Sequence, residues 1–124
     1  MRELILVFGM TDEGQKSALR RALAPQKVMV KAVSPADYGQ SVGRLAGDKT
    51  LPEAPSVPGA ELPQPLLLLS GFSSGRMDQV LTALWKAGVR VDYKAVLTPT
   101  NRSWDVRTLF AEIAKEHQQM HGQP

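Results

Sequence analysis

The sequence predicts an α/β fold: a small doubly wound, mainly parallel four-stranded sheet built from two βαβα repeats, with a ferredoxin-like α+β arrangement as the alternative. Three observations predict it. First, LILVF (residues 4–8) and LLLL (residues 66–69) are apolar at every position, as expected of strands covered on both faces. Second, each run ends in a glycine and is followed by an amphipathic helical pattern and then by a strand-like run that carries a lysine. Third, the two halves align. With Gly9 set against Gly71, LILVFG lies over LLLLSG, and one extra residue in the second half brings Lys31-Ala32-Val33 onto Lys94-Ala95-Val96.

The pseudo-repeats run over 1–46 and 65–119 of a single domain. Between them residues 47–64 carry Pro52, Pro55, Pro58 and Pro63, with Pro65 directly after, and few large apolar side chains. Prolines at that density exclude a helix or a central strand, so the stretch reads as a semi-extended linker.

Within the first repeat a helix is expected to start at a Thr11 or Asp12 cap, to turn Ala18, Leu19, Ala22 and Leu23 inward, and to stop at Pro25. The strand KVMVKAV follows. Ser34-Pro35 then opens a weaker helix, in which Gly39 and Gly43 interrupt Tyr38, Val42 and Leu45. Two glycines four residues apart suit close packing on the sheet, at about 1 kcal/mol of helix propensity each.

The helix of the second repeat is expected to follow Ser73 or Ser74 and to end at Gly88, a left-handed stop. Met77, Val80, Leu81, Leu84 and Trp85 fall at helical spacing, which places Trp85 in the core. VRVDYKAVL is the fourth strand. Thr98-Pro99 forces a bend, Asn101 or Ser103 caps the last helix, and Val106, Leu109, Phe110 and Ile113 make its apolar stripe.

Lysines inside the second and fourth strands suit sheet edges, where charge prevents pairing with another molecule. The expected strand order is therefore second, first, third, fourth. In a parallel sheet of that order, right-handed crossovers put the two crossover helices on opposite faces. The winding would reverse between Gly9-Met10-Thr11 and Gly71-Phe72-Ser73, where open α/β sheets bind ligands. Neither turn carries a nucleotide-binding glycine pattern.

Composition excludes several classes. No cysteine is present among the 124 residues, which removes disulfides, thiol catalysis and thiolate metal sites and makes the cytoplasm the expected compartment. The longest apolar runs are far short of the roughly 20 residues needed to span a bilayer, so no membrane partner is expected, and MRELILVFGM lacks the features of a signal peptide. A net charge of +3 is spread along the chain among acids rather than gathered into a stripe, which argues against nucleic acid.

KAVLTPTNRSW, residues 94–104, is the densest concentration of binding-type side chains. Lys94 offers charge, Thr98, Thr100 and Asn101 offer directional hydrogen bonds, and Trp104 offers an apolar wall. Gly71 and Ser73 join them from the neighbouring turn, where helix N–H groups face an anion.

Followed by an apolar helix, and together with LLLLSGF, this stretch resembles the bacterial domain of unknown function family number 3783. In that family a Lys-Ala-Val-x-Thr-x-x-Asn-x-x-Trp pattern stands before the final helix. The resemblance covers Pro65 to about His117, and DYGQSVGRLAG looks like what precedes the domain in its relatives. It implies membership and no activity.

No catalytic residues are assigned. No Ser, His and acid set suggests nucleophilic catalysis, and His117 and His121, four apart, lack an evident third metal ligand beyond Glu112 or Glu116. No metal and no cofactor are expected. A non-catalytic binding or regulatory module is the leading functional expectation, for an unknown small molecule or protein partner. The alternative is an enzyme or sensor for an anionic small molecule at the carboxyl ends of the strands. An exposed edge strand would allow a homodimer.

Overall fold

The computed structural model describes residues 2–121, with side chains through Gln119. Strand β1 (Leu4–Phe8) leads into helix α1 (Glu13–Leu23) and strand β2 (Met29–Val33). A 3₁₀ turn at Pro35–Asp37 and the short helix α2 (Val42–Leu45) follow. The second half repeats the order with β3 (Leu66–Ser70), α3 (Ser74–Lys86), β4 (Tyr93–Val96) and α4 (Val106–His121).

The four strands stand in the order β2-β1-β3-β4, as the placement of the lysines predicts. The sheet is mixed, however. β1 pairs parallel with β2 and β3 parallel with β4, but the central pair is antiparallel, with Leu4 opposite Ser70 and Phe8 opposite Leu66. This corrects the mainly parallel expectation, and its cause is the connection. Residues 46–65 contain no helix or strand and return the chain to the end of the sheet it left, where Leu62 and the Gln64 carbonyl crowd against Gly9. β3 therefore starts where β1 ends.

That reversal also decides the layers. Two right-handed βαβ units whose leading strands run antiparallel are related by rotation about the sheet normal, which keeps both crossover helices on one face. So α1 and α3 pack side by side, and the expectation of opposite faces fails. Ile5, Val7, Leu67 and Leu69 meet Leu19, Leu23, Val80 and Leu84 on that face. Leu6, Phe8, Leu66 and Leu68 point to the other, where Tyr38, Val42, Val106 and Leu109 cover them. Covered on both faces and parallel at both outer pairs, the sheet is not ferredoxin-like either. Leu66 to Leu69 are at most 2% exposed, and burying each contributes about 1.5–3 kcal/mol.

Local signals act as expected at three helix ends. Asp12 Oδ1 accepts from the Gly14 amide at 2.8 Å and the Gln15 amide at 3.2 Å, and Ser73 Oγ accepts from the Arg76 amide at 3.2 Å. At the end of α3 the Gly88 amide donates to the Trp85 carbonyl and the Val89 amide to the Leu84 carbonyl, a Schellman closure that needs the left-handed φ of 86° at Gly88.

Trp85 is the chief exception. It is 66% exposed, with the Arg90 guanidinium 4.7 Å from its ring centroid, and so is not core. Val80 and Leu84 centre the buried stripe of α3, and one further residue turns the side chain about 100° away from it. Trp85→Ser is accordingly expected to change unfolding free energy by less than about 1 kcal/mol in a denaturant titration, against the 3–5 kcal/mol of a core tryptophan.

Candidate functional site

The antiparallel centre separates the carboxyl ends of the strands. Those of β1 and β2 lie at one end of the sheet and those of β3 and β4 at the other, so Gly9-Met10-Thr11 and Gly71-Phe72-Ser73 do not form one crevice. Each glycine is instead crowded by the chain entering the opposite central strand. Gly9, at φ 73°, lies against Gln64 and Leu62, and Gly71, at φ 84°, against the Arg2 carbonyl, which a Cβ would strike. Both turns thus have a packing reason for glycine.

At the Gly9 end, Tyr38 replaces a ligand. Its hydroxyl accepts from the Gly9 amide at 3.0 Å and donates to Glu61, and its ring is 1% exposed beside Phe8. Burial, reinforced by the Glu61 carboxylate, pushes its phenol well above the ordinary range, so Tyr38 is a fixed donor.

The opposite end holds a cleft of about 440 Å³, within the size range of small-molecule sites. Gly71, Thr98 and Pro99 line it from the second half, Gly43 and Gly47 from the first, and Arg102 and Asp48 meet on its lining. The Arg102 guanidinium donates to the Asp48 carboxylate. Asp48 also accepts from the Thr50 hydroxyl and amide; the Thr50 hydroxyl first, then Arg102, then the Thr50 amide hold its carboxyl below the usual range.

KAVLTPTNRSW builds this cleft more than it fills it. Asn101, 8% exposed, accepts from the Thr98 amide at 2.9 Å and donates from Nδ2 to the Val96 carbonyl at 3.0 Å, while its own amide donates to Thr98 Oγ1 at 3.1 Å. The reciprocal clamp closes a tight turn. Beyond it the Arg102 and Trp104 carbonyls accept from the Gly43 and Val42 amides, each at 2.8 Å, tying the loop to α2. The Trp104 ring is half-buried against the α2 and α4 core.

The cap of α4 is Asp105 rather than Asn101 or Ser103: its Oδ1 accepts from the Thr108 amide at 2.7 Å. Asn101 is engaged one turn earlier.

The seven sequence candidates are divided among several places. Gly71 and Thr98 line the cleft, Asn101 shapes it from behind, and Trp104 packs beside it. Ser73 caps α3 and Thr100 is exposed in the turn. Lys94 lies elsewhere. It pairs with Leu67 and so leaves the sheet on the α1 and α3 face, where its Nζ donates to the Val91 carbonyl at 2.5 Å. Lys31 leaves by the other face, its Nζ 3.3 Å from the Leu45 carbonyl.

Sequence reasoning missed Arg102 and Asp48. Arg102 was in plain view inside NRSW, but Asp48 is 54 residues away and no local pattern joins them.

Among the described residues no three His, Cys, Asp or Glu side chains gather as a metal site. The His117 ring stacks edge-on against Tyr93 at 5.0 Å, and the His121 side chain lies outside the described residues. No helix among them is long and apolar enough to cross a membrane.

No curated protein matches the chain. The model of the domain of unknown function DUF3783 matches residues 65–120, from the proline before β3 through nearly all of α4. Residues 65–120, which contain Lys94, Thr98, Asn101 and Trp104, are thus similar to the DUF3783 family.

Proposed function

We propose that the protein is a non-catalytic binding module whose ligand is a small anion held in the cleft between Gly71, Thr98 and Arg102. The observation that carries this reading is the Arg102–Asp48 pair. A guanidinium at the mouth of a ligand-sized cleft is neutralised by a carboxylate from the other half of the chain, and side chains of both are partly solvated. An exposed pair of this kind is worth little on its own, so an incoming phosphate or carboxylate can displace Asp48 and take the bidentate face of Arg102. Ligand binding would then release the segment after α2, giving the module a means of signalling occupancy. The same reading takes 1–46 and 65–119 as two copies of one unit, supported by the equivalent crowding of Gly9 and Gly71.

A thermal-shift titration with phosphate, pyrophosphate, citrate, phosphosugars and nucleotides at low salt tests the proposal. A ligand at a hundred times its dissociation constant should add about 2.7 kcal/mol, of order 10 °C in Tm. The increment should vanish in Arg102→Met and persist in Lys94→Met. A flat response across the panel, or one lost with Lys94 rather than Arg102, rejects it.

A further inference from the structure

The outer edge of β2 is open. The Met29 amide donates to the Glu3 carbonyl on the β1 side at 3.2 Å, and the two sides of a strand alternate, so the amides and carbonyls of Val30 and Ala32 point away from the sheet. Residues 29–32 are all exposed. The other edge differs: β4 has four residues, and Asn101 Nδ2 already donates to the Val96 carbonyl.

Beside the open edge a cleft of about 330 Å³ runs between β2 and α1. Val30, Ala32 and Leu19 give it an apolar floor, and Lys16 and Arg20 stand on its α1 side. Lys16 is shared with Glu13 at 3.1 Å, Arg20 is exposed, and Glu61 lies on the lining. On the opposite face of the same strand is Lys31. The edge is thus flanked by cations on both faces, with apolar footing on one.

We infer that β2 and α1 form a docking groove for an extended acidic segment of another protein, which adds to the sheet as a fifth strand. Main-chain bonds to Val30 and Ala32 supply the pairing. Apolar side chains at alternate positions enter the cleft, and the acidic ones between them meet Lys31 on the other face. A second copy of this chain is the disfavoured occupant. Antiparallel pairing of β2 with itself about Lys31 sets the two lysines directly opposite, and like charges there oppose association. The groove is distinct from the Arg102 cleft, which lies at the far end of the sheet.

The test uses the ¹⁵N-labelled protein and an acetylated, amidated heptapeptide of alternating glutamate and valine. Binding should slow hydrogen exchange at the Val30 and Ala32 amides and leave Lys94 and Val96 unchanged. Lys31→Glu, at an exposed position, should weaken it by about tenfold at low salt. Ala32→Pro, which removes an outward amide and no bond to β1, should abolish it. No binding of the acidic peptide, equal binding of its glutamine counterpart, or protection at β4 overturns the inference. So does a dimer that protects Val30 and Ala32 without peptide.

Discussion

Asn101→Ala is expected to destabilise the protein by about 3 kcal/mol, lowering Tm by roughly 10 °C, although the residue lies in a surface loop. The side chain, itself only 8% exposed, makes two part-buried bonds to backbone groups, the Thr98 amide and the Val96 carbonyl. Truncation leaves both without their partner, and an unsatisfied buried donor or acceptor costs about 1–3 kcal/mol. Thr98→Ala removes only the hydroxyl that accepts from the Asn101 amide and should cost about 1 kcal/mol. Thr100→Ala, exposed in the same turn, should cost less than about 0.5 kcal/mol. Denaturant titrations of the three variants check the order. Equal losses at Thr100 and Asn101 would show that the clamp is not what holds the turn. Because Thr98 and Pro99 line the cleft, Asn101→Ala should also weaken any ligand response that depends on Arg102.

Strand order was legible because charge and apolarity separate edge from centre. A lysine in the middle of a strand is tolerated only where one side meets solvent, and an all-apolar run demands cover on both faces. Strand direction was not legible. LLLL serves a central strand equally well running either way, and the choice rests on where residues 46–65 deliver the chain, through contacts such as Leu62 against Gly9 that follow no period. That single unknown carried the others with it. With β3 reversed, the two glycine turns part, α1 and α3 come together, and the crevice expected between them does not form.

The site was half legible for a similar reason. Residue types mark 94–104 as chemically dense, and alternation correctly separates Lys94 from Ala95, but only the tertiary fold shows that Lys94 leaves by the face away from Asn101. The clamp explains why a threonine and an asparagine three residues apart precede the last helix: they close the turn ahead of the helix that Asp105 caps. Trp85 erred because helical spacing shows which residues share a stripe and not how wide the buried stripe is.

Gly43→Val should have the larger effect of the two glycines that break the helical pattern of the first half, with a loss of about 3–4 kcal/mol. A Cβ at Gly43 would lie 2.7 Å from the Arg102 carbonyl oxygen and 2.7 Å from Leu51 Cδ1. The carbonyl cannot yield cheaply, because it accepts the Gly43 amide at 2.8 Å, and the neighbouring bond from Val42 to Trp104 fixes the same stretch of backbone. Ser41 and Asp105 extend the contact as an antiparallel bridge. The close approach sought between this helix and the sheet is thus made to the loop instead. Gly39 has nothing within 4 Å of the corresponding position, so Gly39→Ala should stay within about 0.5 kcal/mol of wild type. If Gly43→Val proved as mild, the two halves would not be locked through 102–104. In the expected case the variant loses the wall that Gly43 gives to the Arg102 cleft, so its anion response should fall by at least about tenfold even at temperatures where it remains folded.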